Sequence, residues 1–209
     1  RYVDAIMARV FGHDTIEDLA RYATVPVVNG LSDLLHPCQA LADLFTIYEE
    51  KRKLSGLNLA FVGDGNNVAH SLINGCAAMG MDFSIACPQG YEPDTKIVSS
   101  AEEKGVNILL SDDPTEAVSG ADVIYTDVWA SMGEEDIADK KKGSFDGFRI
   151  NEDMLKKAHE EAIVMHCLPA HYDEEIDKGV AHGESSVIFE QAENRMHAQK
   201  ALLSLLMNK

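Results

Sequence analysis

The chain has 209 residues, of which 45% are apolar, so it is long enough to bury one large core or two modest ones. Its 35 acidic residues outnumber 18 Lys and Arg, and the net charge of −17 repels nucleic acid and anionic lipid over most of the surface. We therefore expect no nucleic acid and no membrane as a partner. A few cations gathered in one cleft would still allow a small anionic substrate.

The cysteines and the hydropathy pattern bear on the compartment. No apolar run reaches the roughly 18 residues that a membrane-spanning helix needs, and the first residues lack a signal-peptide pattern. The four cysteines, Cys38, Cys76, Cys87 and Cys167, are widely spaced and include no C-x-x-C pair. This spacing predicts reduced thiols instead of disulfides or a structural zinc site, and together these features predict a cytoplasmic protein.

The first 36 residues have the pattern of an incomplete α/β unit. Apolar residues recur at helical spacing within Tyr2 to Phe11, and a second helix is predicted over Ile16 to Tyr22. Val25 to Val28 predicts a short strand, closed by the turn dipeptide Asn29-Gly30. Since the chain begins without Met and inside a predicted helix, we expect residues 1–36 to be the remnant of a larger domain.

A connector helix and a second α/β domain follow. Pro37 opens a helical pattern, and we interpret residues 37–53 as the connector. Over residues 54–190, short apolar runs alternate with helical segments such as Val68 to Met79 and Asp94 to Lys104. The runs are Leu59 to Val62, Phe83 to Ala86, Val106 to Leu110, Val123 to Tyr125 and Ala162 to Met165. This alternation predicts an α/β fold with a doubly wound parallel sheet.

Two segments near the end carry weaker patterns. Ser131 to Gly147 lacks periodicity, so we predict a long loop in which Lys140-Lys141-Lys142 form a solvated face. Residues 191–209 carry an apolar stripe at helical spacing, which predicts a C-terminal helix that packs back toward the first domain. The stripe begins at Ala198, and Arg195 is placed just ahead of this final helix.

The segment Gly63-Asp64-Gly65-Asn66-Asn67 joins a predicted strand to a predicted helix, as a nicotinamide-binding loop would. Val68 replaces the third glycine of that motif, Asp64 puts a negative charge where a pyrophosphate would lie, and the next strand ends in Cys87-Pro88 without an acid for the ribose. An NAD-dependent oxidoreductase is therefore disfavoured. The two asparagines suit a small carboxylate at the helix amino terminus, and they equally suit simple helix capping.

Asp127 follows another strand, with Ser131 four residues later. A carboxylate with a nearby hydroxyl is what an α-ammonium group requires. Together with Asn67, these groups predict a site for the zwitterionic end of an amino acid. Taken alone, Asp127 equally fits a cap at a strand end.

His36 and Gln39 form a second polar group at the start of the connector helix. His36 stands at the cap position and Gln39 lies one turn further on, so both can donate toward an anion or a carbonyl oxygen. A lone His is usually structural. We add Arg9 and Arg195 as the cations of this site, because arginine pairs with phosphate through two parallel hydrogen bonds.

His166-Cys167-Leu168-Pro169 follows a short apolar strand and brings a thiol to the carboxyl end of the sheet, where open α/β folds bind ligands. A thiol there is open to nucleophilic, metal-binding and packing roles. His171 would extend a metal site, but no acidic or cysteine partner stands at ligand spacing, so we expect no metal. A Cys–His protease dyad is equally unsupported by residues so close in sequence.

Taken together, the motifs resemble the signatures of the ornithine carbamoyltransferase family in order and spacing over essentially the whole chain. They are Met7-Ala8-Arg9-Val10, His36-Pro37-Cys38-Gln39, Gly63-Asp64-Gly65-Asn66-Asn67, Asp127 through Ser131-Met132-Gly133, His166-Cys167-Leu168-Pro169 and Glu193-Asn194-Arg195. The Ser-Met-Gly segment is similar to the ornithine enzymes and not to their aspartate-using relatives. The resemblance implies carbamoyl transfer from carbamoyl phosphate to the δ-amine of L-ornithine, giving L-citrulline and phosphate, without a cofactor.

The resemblance also implies roles for individual residues. Carbamoyl phosphate would be bound by a set of six residues, in which Arg9 and His36 polarise the carbamoyl oxygen. The set is Arg9, His36, Gln39, Cys167, Leu168 and Arg195. The amino-acid end of ornithine would be held by Asn67, Asp127, Ser131 and the backbone of Met132. Cys167 and the Leu168 carbonyl would face the side-chain amine, with Cys167 as a contact and proton acceptor.

For the organisation of the protein, the resemblance implies a homotrimer or a multiple of it. Residues 1–36 would belong to the carbamoyl-phosphate-binding domain and residues 54–190 would form the ornithine-binding domain. The family's Ser-x-Arg-Thr-Arg phosphate clamp belongs before Arg1 and is absent from this sequence. We therefore expect an amino-terminally truncated chain that binds carbamoyl phosphate poorly by itself.

Two other functions stay open beside the oxidoreductase. One is a non-catalytic module that binds ornithine. The other is transfer to a different amine such as putrescine, which is disfavoured because Asn67, Asp127 and Ser131 would then have no zwitterion to hold. Both directions of the reaction use one site, so the motifs do not distinguish citrulline synthesis from citrulline phosphorolysis.

Overall fold

The computed structural model describes residues 2–130 and 138–207. Two parallel strands, β1 (Ile6–Arg9) and β2 (Val27–Leu31), form a small sheet. A five-stranded sheet follows, built from β3 (Asn58–Val62), β4 (Asp82–Ala86), β5 (Ile108–Ser111), β6 (Val123–Thr126) and β7 (Ile163–His166). Its strands are all parallel and lie in the order β5-β4-β3-β6-β7. The order reverses between β3 and β6, so the predicted doubly wound parallel sheet is confirmed.

Helices α2 and α3 begin at capping signals in the sequence. Asn66 caps α3 by accepting hydrogen bonds from the amides of Val68 and Ala69, and Pro37 occupies the first turn of α2. The helices of the described residues are α1 (His13–Tyr22), α2 (Pro37–Lys51), α3 (Asn67–Met79), α4 (Thr95–Glu102), α5 (Pro114–Val118), α6 (Ala138–Ser144), α7 (Glu152–Leu155), α8 (Lys178–Ala181) and α9 (Ile188–Met207). None of them is both long and apolar enough to cross a membrane.

Apart from the edge strand β5, whose Leu109 and Leu110 are exposed, the large sheet is buried on both faces, which explains why its strands are continuous apolar runs. Along β3, Leu59 and Phe61 enter a core cluster that includes residues of α2 and α3. Ala60 and Val62 point to the opposite face, into a cluster that includes residues of α5 and α8. Helices therefore cover both faces, and ligands are left the crevice at the carboxyl ends of the strands.

The amino-terminal segment corrects the sequence interpretation. Residues 6–9 form strand β1 and not a helix, and Ile6 pairs with Val27 of β2. Strand β2 also continues through the predicted turn Asn29-Gly30 to Leu31. A Cβ on Gly30 would lie 2.7 Å from the Met7 sulfur, so the glycine serves close strand packing. The pairing partner lies about 20 residues away, where local periodicity carries no information about it.

Two further predictions near the end of the chain are wrong. Part of the predicted loop from Ser131 to Gly147 is helix α6, and its Lys141 is buried instead of lying on a solvated face. Helix α9 begins at Ile188, so Arg195 lies within the helix and not ahead of it. Helix α9 packs on α2, where the Asn194 amide donates a hydrogen bond of 3.1 Å to Thr46 Oγ1.

Candidate active site

Three polar side chains meet where β3, β6 and β7 end. Asp127, after β6, is buried, and its Oδ1 accepts a hydrogen bond of 2.9 Å from the Cys167 thiol after β7. Its Oδ2 accepts one of 2.9 Å from Asn66 Nδ2, which follows β3. The Val128 amide donates a third bond, of 2.8 Å, to Oδ1. One carboxylate therefore ties together the ends of three strands at the switch point of the sheet.

The loop before α3 is closed by its own chain. The Gly65 amide donates a hydrogen bond of 2.8 Å to the Tyr91 carbonyl, and a Cβ at Gly65 would lie 2.3 Å from the Pro93 nitrogen. The Asp64 carboxylate lies 2.7 Å from the buried Lys141 ammonium. A pyrophosphate would need both the amide and the space that this packing uses, so the geometry argues against a dinucleotide site.

The thiol of Cys167 is held in its neutral form. Burial raises the pKa of Cys167 well above its usual range, and the adjacent Asp127 charge raises it further. Because the thiolate is the nucleophilic species, this environment disfavours a covalent role. The neutral thiol donates to Asp127 and leaves sulfur lone pairs for an incoming N–H group.

The other cysteines are free and buried, as expected of packing residues in a reduced protein. Burial raises the pKa of Cys38, and it raises that of Cys87 to about 12. Burial also raises the pKa of Cys76. These three thiols are therefore unreactive near neutral pH.

His166 fixes the corner that carries Cys167. The Leu168 amide donates a hydrogen bond of 2.8 Å to His166 Nδ1, so Nε2 carries the proton and donates to Glu175 Oε1 at 3.1 Å. Glu175 is fully buried. These bonds hold Leu168 at a φ of +59°, a conformation that non-glycine residues rarely adopt. Backbone strain therefore falls on the residue whose carbonyl was expected to face the substrate amine, as it also does on Arg52 and Asp173 elsewhere in the chain.

Sequence spacing placed no acidic residue near His166 and Cys167, but the folded chain brings Asp127 beside them. One potential ligand atom from each of Asp127, His166 and Cys167 lies within 4.8 Å of the other two. All three side chains already hydrogen-bond within the protein, so a metal would have to break these contacts. His171 instead lies near Glu174 and Glu175, where its amide donates to Glu175 Oε1.

His36 joins the start of α2 to the start of α3. Its amide donates a hydrogen bond of 2.7 Å to Ser71 Oγ, which donates one of 2.9 Å to the Asn67 carbonyl. The Asn67 side chain in turn donates to the Ser32 carbonyl at 2.7 Å. His36, which is expected to bind the phosphate-bearing substrate, is thus linked through Ser71 to Asn67, which is expected to bind the amino acid.

Six buried side-chain polar atoms of the described residues lack a hydrogen-bond partner, and three of them lie at the start of α2 and on α9. His36 Nδ1, Gln39 Oε1 and Arg195 Nε make no hydrogen bond within residues 2–130 and 138–207. Leaving such an atom unpaired costs about 1 to 3 kcal/mol, so proteins rarely retain one without a reason. All three belong to the set predicted to bind carbamoyl phosphate. Their arrangement is that of a site that receives hydrogen bonds from a ligand and donates others to it.

The electrostatics of this region are positive, although the chain as a whole is acidic. Burial, together with the charges of Arg195 and Arg9, lowers the pKa of His36 to about 4. His36 is therefore a neutral donor or acceptor near pH 7. The two guanidinium groups provide the local cationic field that a small anion requires. Arg9 is exposed at the end of β1, and Arg195 is half-buried.

Asp43 is a buried carboxylate that the sequence interpretation missed. Its Oδ1 accepts hydrogen bonds from Gln39 Nε2 at 2.8 Å and from Gln191 Nε2 at 2.7 Å. Its Oδ2 accepts one of 3.0 Å from the Tyr125 hydroxyl. Burial raises the pKa of Asp43 to about 7 against these donors. The available signal was an acid on the apolar face of a helix, four residues after Gln39.

Of the predicted site residues, Asp127, Cys167 and Leu168 follow strands of the large sheet and Asn67 begins α3, whereas His36 and Gln39 lie at the start of α2, Arg195 on α9 and Arg9 at the end of β1. Two points differ from the prediction. Asn66, and not Asn67, contacts Asp127, because the Asn67 amide is directed to Ser32. Ser131 and Met132 lie outside the described residues. The roles of the individual residues stay predictions.

Comparison with known proteins identifies the family. A family model described as "Aspartate/ornithine carbamoyltransferase, Asp/Orn binding domain" matches residues 55–206. A second, described as the "carbamoyl-P binding domain" of the same proteins, matches residues 1–49. The chain belongs to the aspartate/ornithine carbamoyltransferase family. The strand-end site described above lies within the first match and its partner residues on β1 and α2 lie within the second.

Individual relatives are similar over nearly the whole chain. "Ornithine carbamoyltransferase, anabolic" from Pyrococcus furiosus is 54% identical over 99% of this chain and 67% of its own length. "Ornithine carbamoyltransferase, catabolic" from Halobacterium salinarum is 55% identical over 100% of this chain and 69% of its own. The solved structure of the Pyrococcus furiosus ornithine carbamoyltransferase matches with a TM-score of 0.94 and 54% identity, over 99% of this chain and 67% of its own. The solved ornithine transcarbamoylase from Giardia lamblia matches with a TM-score of 0.90 and 30% identity, over 100% of this chain and 72% of its own.

Proposed function

We propose that the protein carrying this chain transfers the carbamoyl group of carbamoyl phosphate to the δ-amine of L-ornithine, giving L-citrulline and phosphate. One observation carries the proposal: three unpartnered, buried polar atoms suited to carbamoyl phosphate are linked, through Ser71 and through Asp43, to an Asn–Asp–thiol group suited to an amine. The printed names of the relatives agree with it, since they are ornithine carbamoyltransferases. The two halves of the site correspond to the two substrates.

The ornithine side would be built on α3 and the ends of β6 and β7. Asp127 offers its carboxylate to the α-ammonium group, with Asn67, Ser131 and the Met132 backbone completing the amino-acid end. Asn66 supports this role by orienting Asp127 through a hydrogen bond of 2.9 Å. The side-chain amine then lies against Cys167 and the Leu168 carbonyl.

The carbamoyl phosphate side would be built on α2 and α9. His36 Nδ1 and the Arg195 guanidinium are buried groups ready to meet an anion or a carbonyl oxygen, and Arg9 adds a second cation. Gln39 presents a carbonyl oxygen suited to the carbamoyl amino group. Donors placed at a developing oxyanion contribute about 3 to 4 kcal/mol each to transition-state stabilisation.

The chemical step is attack of the amine on the carbamoyl carbon, followed by collapse of the tetrahedral intermediate and loss of phosphate. With a pKa of about 10.4, roughly one ornithine side chain in 2,500 is neutral at pH 7, a cost of about 4.6 kcal/mol. Burial beside Cys167 favours the neutral amine. Because the thiol is neutral, it accepts the amine proton only by passing its own proton to Asp127.

We also propose the organisation of the protein. Residues 1–36 belong to a carbamoyl-phosphate-binding domain, residues 37–53 connect, residues 54–190 bind ornithine, and residues 191–209 extend the helix that returns to α2. A homotrimer is supported by an apolar stripe on α2, where Leu41, Phe45 and Tyr48 are exposed. Free thiols support a cytoplasmic location. Light scattering of the purified protein and cell fractionation test these two points.

Citrulline formation by the natural protein that carries this chain tests the function. We expect turnover that depends on both carbamoyl phosphate and ornithine, and putrescine should be a poor acceptor. Ornithine binding without citrulline formation would instead favour the non-catalytic module. Quenching of NADH fluorescence at micromolar protein would favour the oxidoreductase and contradict the proposal.

A further inference from the structure

Asp43 joins the two halves of the site through three side chains, and the proposed reaction gives it no task. It is completely buried on α2, one helical turn after Gln39. Through Gln39 it reaches the carbamoyl phosphate side. Through Gln191, whose Oε1 accepts a hydrogen bond of 2.9 Å from the His166 amide, it reaches the strand that ends at Cys167.

Gln39 faces Asp43 through its NH₂ group. Gln191 is oriented by the His166 amide and donates to Asp43 Oδ1, so a proton on Asp43 belongs on Oδ2 and Oδ1 stays an acceptor. Oδ1 would repel the amide oxygen of Gln39, which therefore turns its NH₂ group toward it, at 2.8 Å. Its own Oε1 is thereby directed away from Asp43 and has no partner in the described part of the chain. Without Asp43, nothing in these contacts distinguishes the amide from its flipped form, which would present NH₂ to the ligand.

We propose that Asp43 is a positioning residue that fixes the Gln39 amide so that its carbonyl oxygen accepts a hydrogen bond from the carbamoyl NH₂ group. This role rests on the proposed function. Asp43 itself does not contact substrate. The orientation matters because the carbamoyl NH₂ is a donor, and a Gln39 that also offered NH₂ would repel it.

Thr46 provides a matched control on the same helix. It is buried one turn after Asp43, and its hydroxyl accepts from Asn194 of α9 at 3.1 Å, so it contributes to the same helix packing. It makes no hydrogen bond to Gln39. Thr46→Val should lower the unfolding midpoint and leave the use of carbamoyl phosphate unchanged.

The test measures kcat/KM for carbamoyl phosphate, and its dissociation constant by calorimetry, in the natural protein. We expect Asp43→Ala to weaken both by about tenfold or more, because a small misplacement of a binding group is costly, while the KM for ornithine changes by less than about twofold. Asp43→Asn keeps an oxygen that accepts from Gln39, and should restore most of the loss. Asp43→Leu, an isosteric apolar replacement, stands in if the alanine variant does not fold.

A double-mutant cycle decides whether Asp43 acts through Gln39. In a Gln39→Ala background, Asp43→Ala should change carbamoyl phosphate binding by less than about twofold, because the group it orients is already gone. Additive losses, or equal losses for carbamoyl phosphate and ornithine, would overturn the proposal in favour of a merely structural role. Unchanged binding in a folded Asp43 variant would overturn it too.

Two remaining outcomes are separable. If the unmutated protein does not bind carbamoyl phosphate, the proposed function fails and this role fails with it. If no Asp43 variant folds, a crystal structure of the unmutated protein with carbamoyl phosphate decides. The proposal requires Gln39 to contact both Asp43 and the carbamoyl nitrogen, and a Gln39 turned away from Asp43 contradicts it.

Discussion

The thiol of Cys167 donates a hydrogen bond of 2.9 Å to Oδ1 of Asp127, a residue 40 positions earlier in the chain. This contact makes the thiol a neutral, oriented group and the carboxylate a fixed acceptor. It also joins the predicted amine contact to the predicted ammonium contact, so changes at either residue should be felt mainly by the amino-acid substrate.

Cys167→Ala should lower kcat with ornithine by at least about tenfold, since it removes a group placed beside the reacting amine. Carbamoyl phosphate binding should fall by much less, because the other five residues predicted to bind it remain. Cys167→Ser retains an O–H donor for Asp127 and should lose less. Steady-state kinetics with each substrate varied in turn checks this, and unchanged turnover of the alanine variant would reject the role of the thiol.

Asn66 both caps α3 and holds Asp127, and two replacements separate these tasks. Asn66→Ala removes both and should cost about 1 kcal/mol of stability from the lost cap, with a raised KM for ornithine. Asn66→Ser keeps a capping oxygen but is too short for Asp127, so it should raise this KM with little loss of stability.

Asp113 supplies the control for the Asn66 variants. It caps α5 through a hydrogen bond of 2.8 Å from the Thr115 amide. Asp113→Ala should therefore lower stability by a similar amount without changing the KM for ornithine. Urea denaturation and ornithine kinetics on the three variants give the comparison, and equal ornithine KM values in all of them would exclude the support of Asp127 by Asn66.

His36 should make the unliganded protein less stable in mild acid. Its pKa is about 4 in the folded chain and 6.5 in the unfolded one, so the unfolded state takes up the proton first as pH falls. Stability is lost between about pH 6.5 and pH 4, by roughly 3 kcal/mol in total, because each tenfold difference in proton affinity is worth about 1.36 kcal/mol. Relative to His36→Gln, the natural protein should therefore lose stability over this window.

The comparison with His36→Gln is needed because Asp43 titrates in the opposite sense. Its pKa is raised to about 7, so the folded state takes up a proton before the unfolded state does, and this contribution falls as pH rises. Both proteins retain Asp43, so its effect cancels in the difference. Urea midpoints at pH 4, 5, 6 and 7 provide the measurement, and a pH-independent difference would contradict the assignment.

Breaking the Lys141–Asp64 pair should be costly, because the ammonium is buried and the carboxylate is 14% exposed. Lys141→Met should therefore destabilise by about 3 kcal/mol, since a largely desolvated pair loses one partner. The double variant with Asp64→Asn should recover part of this loss. Lys142→Met, at a pair with Glu174 in which both side chains are exposed, should change stability by less than about 1 kcal/mol. Urea denaturation distinguishes the two pairs.

Much of the architecture was visible in local patterns. The five strands of the large sheet were predicted because each is a short apolar run, and four of them are buried on both faces, which requires apolar residues in succession. Helix α3 was predicted from its capping asparagine and its apolar spacing. The strand β1 was missed, because Ile6, Met7 and Val10 also fit a helical face and the strand depends on pairing with β2.

The site was only partly visible for a related reason. Polar residues that end strands mark a ligand edge, which is how Asp127 and Cys167 were chosen. Asp43 and Lys141 looked like an ordinary helix residue and an ordinary surface charge. Their burial depends on what α9, β6 and the loop after β3 bring against them.

The order of apolar runs and polar strand ends therefore specifies the doubly wound sheet and the edge at which it binds, because burial and backbone geometry act within a few neighbouring residues. The partner of each polar group is a different matter. Asp127 meets Cys167, Asp43 turns Gln39, and Lys141 is buried against Asp64. These contacts join residues 4 to 77 positions apart, which the fold packs together in surroundings of low dielectric constant. In such surroundings the partner of a polar group is the group that the fold brings next to it, so only the folded chain reveals these hydrogen bonds.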